Sequence, residues 1–284
     1  MTVLPVIPFF LGYIIQNQSN PTPSYIFHVR VDTLFINKSG THDTENNAGL
    51  AFNLKCQPYM DQNLKCHIQK DIFYSPSTDF VHMVDNNDFT PSCLQFDRIR
   101  YRMSFDFKGV TSYQILTENV ENKKTLLEMY RFIGDQLSVG ADLKTRGFEF
   151  NTTEDTIIGK CPTLYKIHHD VTLNTSNFEL TLIARQKYRL NKNESLHISK
   201  QRRVNECHPQ NGYILGRILW TDLITSKVTA KLQSSRSEMK FTQNDFHSMT
   251  ANMFYLYNKQ DEIAGYVRET INVELDFIED FIED

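Results

Sequence analysis

Apolar residues fall on every second position along most of this chain, the spacing of strands that bury one face. Between Tyr25 and Ile36, residues Tyr25, Phe27, Val29, Val31 and Phe35 share one face, while Ile26, His28, Arg30 and Asp32 lie largely on the other. After a polar stretch from Lys38 to Asn47, the alternation returns at Leu50, Phe52, Leu54 and Cys56. Cys56 and Cys66 flank a polar turn, which predicts a hairpin. From Arg98 to Phe107 one face carries Ile99, Tyr101, Met103, Phe105 and Phe107 and the other Arg98, Arg100, Arg102, Ser104 and Asp106. Lys108-Gly109 supplies a turn, and Val110 to Leu116 returns as the partner strand.

Between Asn119 and Val139 the period changes to that of a helix. Leu126, Tyr130, Ile133 and Leu137 form a stripe widened by Leu127, Met129 and Val139. Glu118 and Glu121 are placed near its start, and Gly140 where a C-terminal stop belongs. Strands then resume: Phe178 to Ala184, Ile214 to Trp220, Val228 to Leu232, Phe246 to Tyr257 and Ile263 to Phe277. A lone amphipathic helix among strands must pack on a sheet or inside a barrel, because its stripe cannot stay in water. The strand spacing points to a meander or barrel.

Composition supports this reading. The chain holds 20 Phe and 13 Tyr, types that pack well on a pleated surface. A net charge of -4, dispersed along the chain, argues against a nucleic-acid partner. Residues 1–24 form an N-terminal arm or degenerate signal segment: Val3 to Ile15 has signal-core length but lacks a basic flank and is too short to span a bilayer. Residues 278–284 are an acidic tail, expected to fray.

The five cysteines show no metal-ligand spacing, so disulfides are the better reading, with one thiol left either buried or bridged to another chain. Phosphate-binding glycine loops, nucleophile elbows and His-Glu-x-x-His patterns are absent, and no catalytic residues or metal ligands are assigned. His168-His169-Asp170 reads as solvated loop after a strand, and Lys200-Gln201-Arg202-Arg203 as a solvated loop or strand end. Glycosylation sequons stand at Asn17, Asn37, Asn151, Asn174 and Asn193.

Phe150, Glu154, Thr156, Gly159, Cys161, Tyr165 and Ile167 stand at the spacing of a signature in the N-terminal domain of vitellogenins and related large lipid-transfer proteins, which this stretch resembles. Phe105 to Val110, leading into the helix, is similar to the hairpin preceding the family's central helix. Ser234-Ser235-Arg236-Ser237 to Ile271 is similar to its Arg-Ser strand and long hairpin. The resemblance implies a mainly β fold: a large antiparallel β-barrel around one central amphipathic helix, spanning 25–277. It also implies that Cys161 is bonded to a downstream cysteine, for which Cys207 is the candidate, while the pairing of Cys56, Cys66 and Cys93 stays open.

The expected function is that of a secreted, extracellular, non-enzymatic carrier for a hydrophobic small molecule, a lipid or carotenoid, with no required cofactor. Trp220, Met249, Met253, Phe254 and Tyr255 are the candidate ligand contacts, since there both strand faces are apolar and Met adapts to an irregular guest. The exposed sheet surface would be shared with a second subunit in a homo- or heterodimer. The alternatives are a receptor- or partner-binding module without ligand, favoured if the helix fills the interior, and a yolk or storage polypeptide.

Overall fold

In a computed structural model, which describes residues 24–39, 42–59, 63–69, 73–76, 99–106, 108–118, 120, 123–141, 148–171, 194–208, 229–241 and 245–279, the alternating segments join one antiparallel sheet. Its strands are β1 (Ser24–Ser39), β2 (His42–Pro58), β3 (Asn63–Ile68), β4 (Phe73–Pro76), β5 (Arg100–Phe105), β6 (Val110–Ile115), β7 (Glu149–Thr156), β8 (Gly159–Val171), β9 (Glu194–Arg202), β10 (Thr229–Phe241), β11 (Phe246–Tyr257) and β12 (Ile263–Glu279). The helix α1 spans Lys123–Gln136. The strand order is β6-β5-β3-β2-β1-β12-β11-β10-β9-β8-β7, with β4 beside β2. The first and last strands therefore meet in the middle, and each long hairpin packs outward from that pair.

Period-two alternation sorts the side chains onto two faces. Phe27, Val29 and Val31 of β1, Phe52 and Leu54 of β2, Tyr101 and Met103 of β5, Ile198 of β9 and Val267 and Ile271 of β12 are buried on the inner face. Against it lies α1, whose Leu126, Met129, Tyr130, Phe132 and Ile133 are buried, with the Tyr130 ring stacked on Tyr101 at 3.8 Å between centroids. The helix is shorter than its periodicity suggests: Leu137 and Val139 continue its apolar stripe in a non-helical segment. Its first turn holds no acidic residue; Glu118 precedes it, and Glu121 lies outside the described residues.

The expected barrel is not closed. Among the described residues β6 pairs only with β5 and β7 only with β8, so the outermost strands do not pair with each other. The helix stands between them, touching β6, β7, β11 and β12. Tyr113 of β6 donates to the carbonyl of Arg131 at 3.5 Å, and Arg131 donates to that of Thr156 at 3.4 Å. The amide of Ile157 in the β7–β8 turn donates to Asp135 at 2.8 Å. A helix carries no free backbone ladder to offer a strand, so the seam is joined by side chains instead.

The segment after α1 completes the seam. Gly140 donates to the carbonyl of Lys108, and Val110 donates to the Ser138 hydroxyl, docking this segment on the β5–β6 turn. Gly140 has φ +78°, and a Cβ there would fall 2.6 Å from a Glu154 carboxylate oxygen. On the other side, a Cβ on Gly109 would fall 1.9 Å from the Ser138 hydroxyl.

Cys56 and Cys66, directly opposed on β2 and β3, form one disulfide. Cys161–Cys207 forms the second, tying β8 to the segment after a 3-10 turn at Val204–Glu206. Loops separated by 10 and 46 residues correspond in the chain-entropy model to about 3 and about 4 kcal/mol. Cys93 and the strands expected over Phe178 to Ala184 and Ile214 to Trp220 lie outside the described residues. β12 runs to Glu279, where Ser24 of β1 is its partner and Lys55 its ion pair, so the first residues assigned to the acidic tail belong to the sheet. Gly140→Ala is expected to lower unfolding free energy by about 2–4 kcal/mol in denaturant titrations, combining left-handed backbone strain with a clash against Glu154.

Candidate functional site

The strongest polar feature is buried under the seam. Glu154 of β7 accepts hydrogen bonds from Lys200 at 2.9 Å and Arg202 at 2.8 Å, and all three side chains are at most 3 % exposed. Lys200 also donates to the carbonyl of Ser138 at 2.7 Å, and the Tyr165 hydroxyl to that of Val139 at 3.1 Å. The post-helical backbone is thus anchored on both β8 and β9. Arg202 reaches the hydroxyl of Ser237 on β10 at 2.8 Å, Ser237 contacts Thr250 on β11 at 2.7 Å, and Thr250 donates to Gln136 of α1 at 2.7 Å. One hydrogen-bonded chain therefore runs from β7 across β9, β10 and β11 back to the helix.

This corrects the sequence reading of Lys200-Gln201-Arg202-Arg203 as solvated. The segment reaches to the end of β9, with Lys200 and Arg202 facing inward and Gln201 and Arg203 outward. The signal was parity, since Lys200 and Arg202 continue the face set by Leu196 and Ile198. Ser248, Thr250 and Asn252 likewise share the buried face of Phe246 and Phe254. His168-His169-Asp170 also belongs to a strand rather than a loop: β8 pairs these residues with His197, Leu196 and Ser195.

Burial by itself would raise the Glu154 carboxyl, but the charges of Arg202 and Lys200 outweigh it and hold it below the ordinary carboxylate range. Burial drives the Lys200 ammonium down despite the attraction of Glu154. Asp135 is pushed up to about 7, chiefly by burial and further by Glu154, against the opposing hydrogen bond from Ile157 and the charges of Arg202 and Arg131. Each charge in the group under the seam is hydrogen-bonded by another, an arrangement that suits a fastening.

The candidate ligand residues divide between two faces. Met249, Met253 and Tyr255 lie half-buried on the outer face of β11 together with Ala251 and Tyr257, whereas Phe254 is buried inside. Tyr255 pairs with Tyr266 of β12 and Met253 with Arg268, so the outer row is apolar from Met249 to Tyr257, charged at its flank, and starts at His247, which is ion-paired with Glu274. Trp220 lies outside the described residues. A separate polar groove of about 630 Å³ opens beside β7, bounded by Asn151, Leu164, Gln201, Arg203, Asn205 and Gln233 among others. Of the sequons, Asn151 is exposed on β7 and Asn37 lies in the β1 ladder; Asn17, Asn174 and Asn193 lie outside the described residues. Among the described residues no helix is long and apolar enough to cross a membrane, and no three His, Cys, Asp or Glu side chains gather to hold a metal.

A solved structure concerned with lipid–protein interactions in lipovitellin superposes on this chain with a TM-score of 0.56 over 94 % of its length, at 12 % identity. The fold is lipovitellin-like. The chain spans 26 % of that lipovitellin chain, so the likeness concerns one part of a larger protein. No family model and no curated protein matches the sequence. The likeness covers the mainly β sheet and the one α-helix among the described residues, while the charged chain under the seam is read from this molecule's own geometry. Two disulfides fit an oxidising compartment.

Glu154→Gln leaves two buried cations facing a neutral amide and is expected to cost about 3–5 kcal/mol in equilibrium unfolding. Replacing Glu154, Lys200 and Arg202 together with Leu, Met and Met is expected to cost much less, because no unpaired charge remains. Asp135 should act in the opposite sense to Glu154 with pH. Its raised folded pKa means that the folded state holds a proton the unfolded chain has released, so its contribution declines as pH rises from about 4 to about 7. Denaturation midpoints at pH 5 and pH 8 should therefore show wild type losing stability relative to Asp135→Asn across that range; parallel behaviour would contradict the assignment.

Proposed function

We propose that this chain is a secreted, non-enzymatic binding module that carries a hydrophobic small molecule, a lipid or a carotenoid, and that the guest lies on the outer face of β10 to β12. The observation carrying this reading is the row Met249, Ala251, Met253, Tyr255 and Tyr257, an apolar strip on a sheet face turned away from the helix. Charged neighbours, Lys231 opposite Tyr255 and Arg268 opposite Met253, border it and would meet a polar head. A single sheet face cannot enclose a guest, so a second layer supplied by another subunit completes the site. The lipovitellin-like fold supports a carrier role at the level of architecture.

A second reading, an interaction module without ligand, is favoured by one observation: the inner face is occupied by α1 and its packing side chains, including the Tyr101–Tyr130 stack. Under that reading the outer strip contacts a protein directly. Organic-solvent extraction of natively purified full chain, followed by mass spectrometry, separates the two. The carrier reading predicts a stoichiometric hydrophobic guest, and Met249→Lys with Met253→Lys should lower its content on the order of 10- to 100-fold, as expected from losing two apolar contacts and adding charge. Protein free of any extractable guest would favour the interaction module.

A further inference from the structure

The polar groove beside β7 differs in chemistry from the apolar strip on β11. Its walls offer the amides of Gln201, Asn205 and Gln233, the carboxylate of Glu149 and the Arg203–Glu206 ion pair, while Leu164 adds a small apolar surface. Amide and charged rims around a short apolar floor match a sugar ring, which has hydroxyls at its edge and C–H bonds on its face. Asn151 also lines this groove, and it opens the sequon Asn151-Thr152-Thr153. Asn151 and Thr153 are both exposed.

The register places the attachment point at the groove. Asn151 pairs with Leu164 of β8, and Leu164 with Gln201 of β9, so the three residues form one row across the outer face. Strands about 4.8 Å apart set Leu164 one step from Asn151 and Gln201 two steps away, within the span of the first sugar units. β7 is the outermost strand on this side, and the outer face that carries Asn151 and Thr153 is exposed, which leaves room for a branched chain. Asn37, the other described sequon, lies in a strand paired on both sides, with Gly265 and with Thr44.

We propose that Asn151 carries an N-linked glycan whose first sugars lie along this groove, over Leu164 and against Gln201 and Asn205. The inference rests on the secretory part of the proposed function.

The test expresses the full chain behind a supplied secretory leader in a eukaryotic cell, so that entry into the pathway does not depend on the natural N-terminus. Peptide mapping after glycan removal in heavy-oxygen water should find labelled Asp at position 151 in most molecules. Thr153→Ala, which keeps Asn151 but breaks the sequon, should abolish the label. Unlabelled Asn151 in folded, secreted wild type overturns the proposal. The groove is tested by the rate of enzymatic glycan release: Gln201→Ala with Asn205→Ala should speed release from folded protein about fivefold, the effect of losing roughly 1 kcal/mol of hydrogen bonding, and leave release from denatured protein unchanged. Equal rates from both folded proteins overturn the groove placement. Secretion itself is tested separately by the redox state of Cys161 and Cys207 in protein from its natural source; reduced thiols there count against the secretory reading without touching the chemistry at Asn151.

Discussion

Three charges and one backbone carbonyl decide how this sheet ends. Glu154 stands on β7, one outermost strand; Lys200 and Arg202 come from β9; and Lys200 passes the connection to Ser138, in the segment that docks on the β5–β6 turn beside the other outermost strand. Two outer strands that do not pair with each other are thereby brought to a common anchor. Burying such charges is expensive, and they are tolerated because each is hydrogen-bonded by another. The arrangement is directional where apolar packing is not. It specifies which helix end lies over which strand, and Gly140 provides the close approach that the carboxylate needs.

The same constraint explains why the inner face is not uniformly apolar. Ser237, Thr250 and Gln136 extend the charged group across the sheet to the helix, so the helix is held by hydrogen bonds at its C-terminal end and by aromatic stacking at Tyr130 nearer its middle. With the inside committed to α1, the apolar strip proposed to meet a guest or partner lies on the outer side of β11. Two faces of one strand thus differ: Thr250 serves the seam, and Met249, Met253 and Tyr255 face away from it.

Much of the strand architecture was legible because burial on one face imprints an alternation that sequence displays directly. Phe27, Val29 and Val31, the β5 face of Tyr101 and Met103, the Cys56–Cys66 hairpin and the helix stripe all follow from spacing alone. The Cys161–Cys207 bond came from family resemblance and matches the observed pair. Closure was not legible, since whether β6 meets β7 depends on a helix inserted between strands far apart in the chain. The burial of Lys200 and Arg202 is masked by their charge: alternation places them with Ile198, but their partner Glu154 lies 46 residues away from Lys200 and no local pattern links them. The candidate ligand residues show the converse limit, as a run apolar on both faces could not say which side Phe254 would take.

Hydrogen exchange of wild type and Glu154→Gln under native conditions tests most directly whether this charged group fastens the seam. If it does, amides of α1, the segment from Leu137 to Ala141 and β7 lose protection together in the variant, while the central pair β1 and β12 keeps theirs. Unchanged exchange at the seam, or an equal loss of protection throughout the sheet, would contradict the account.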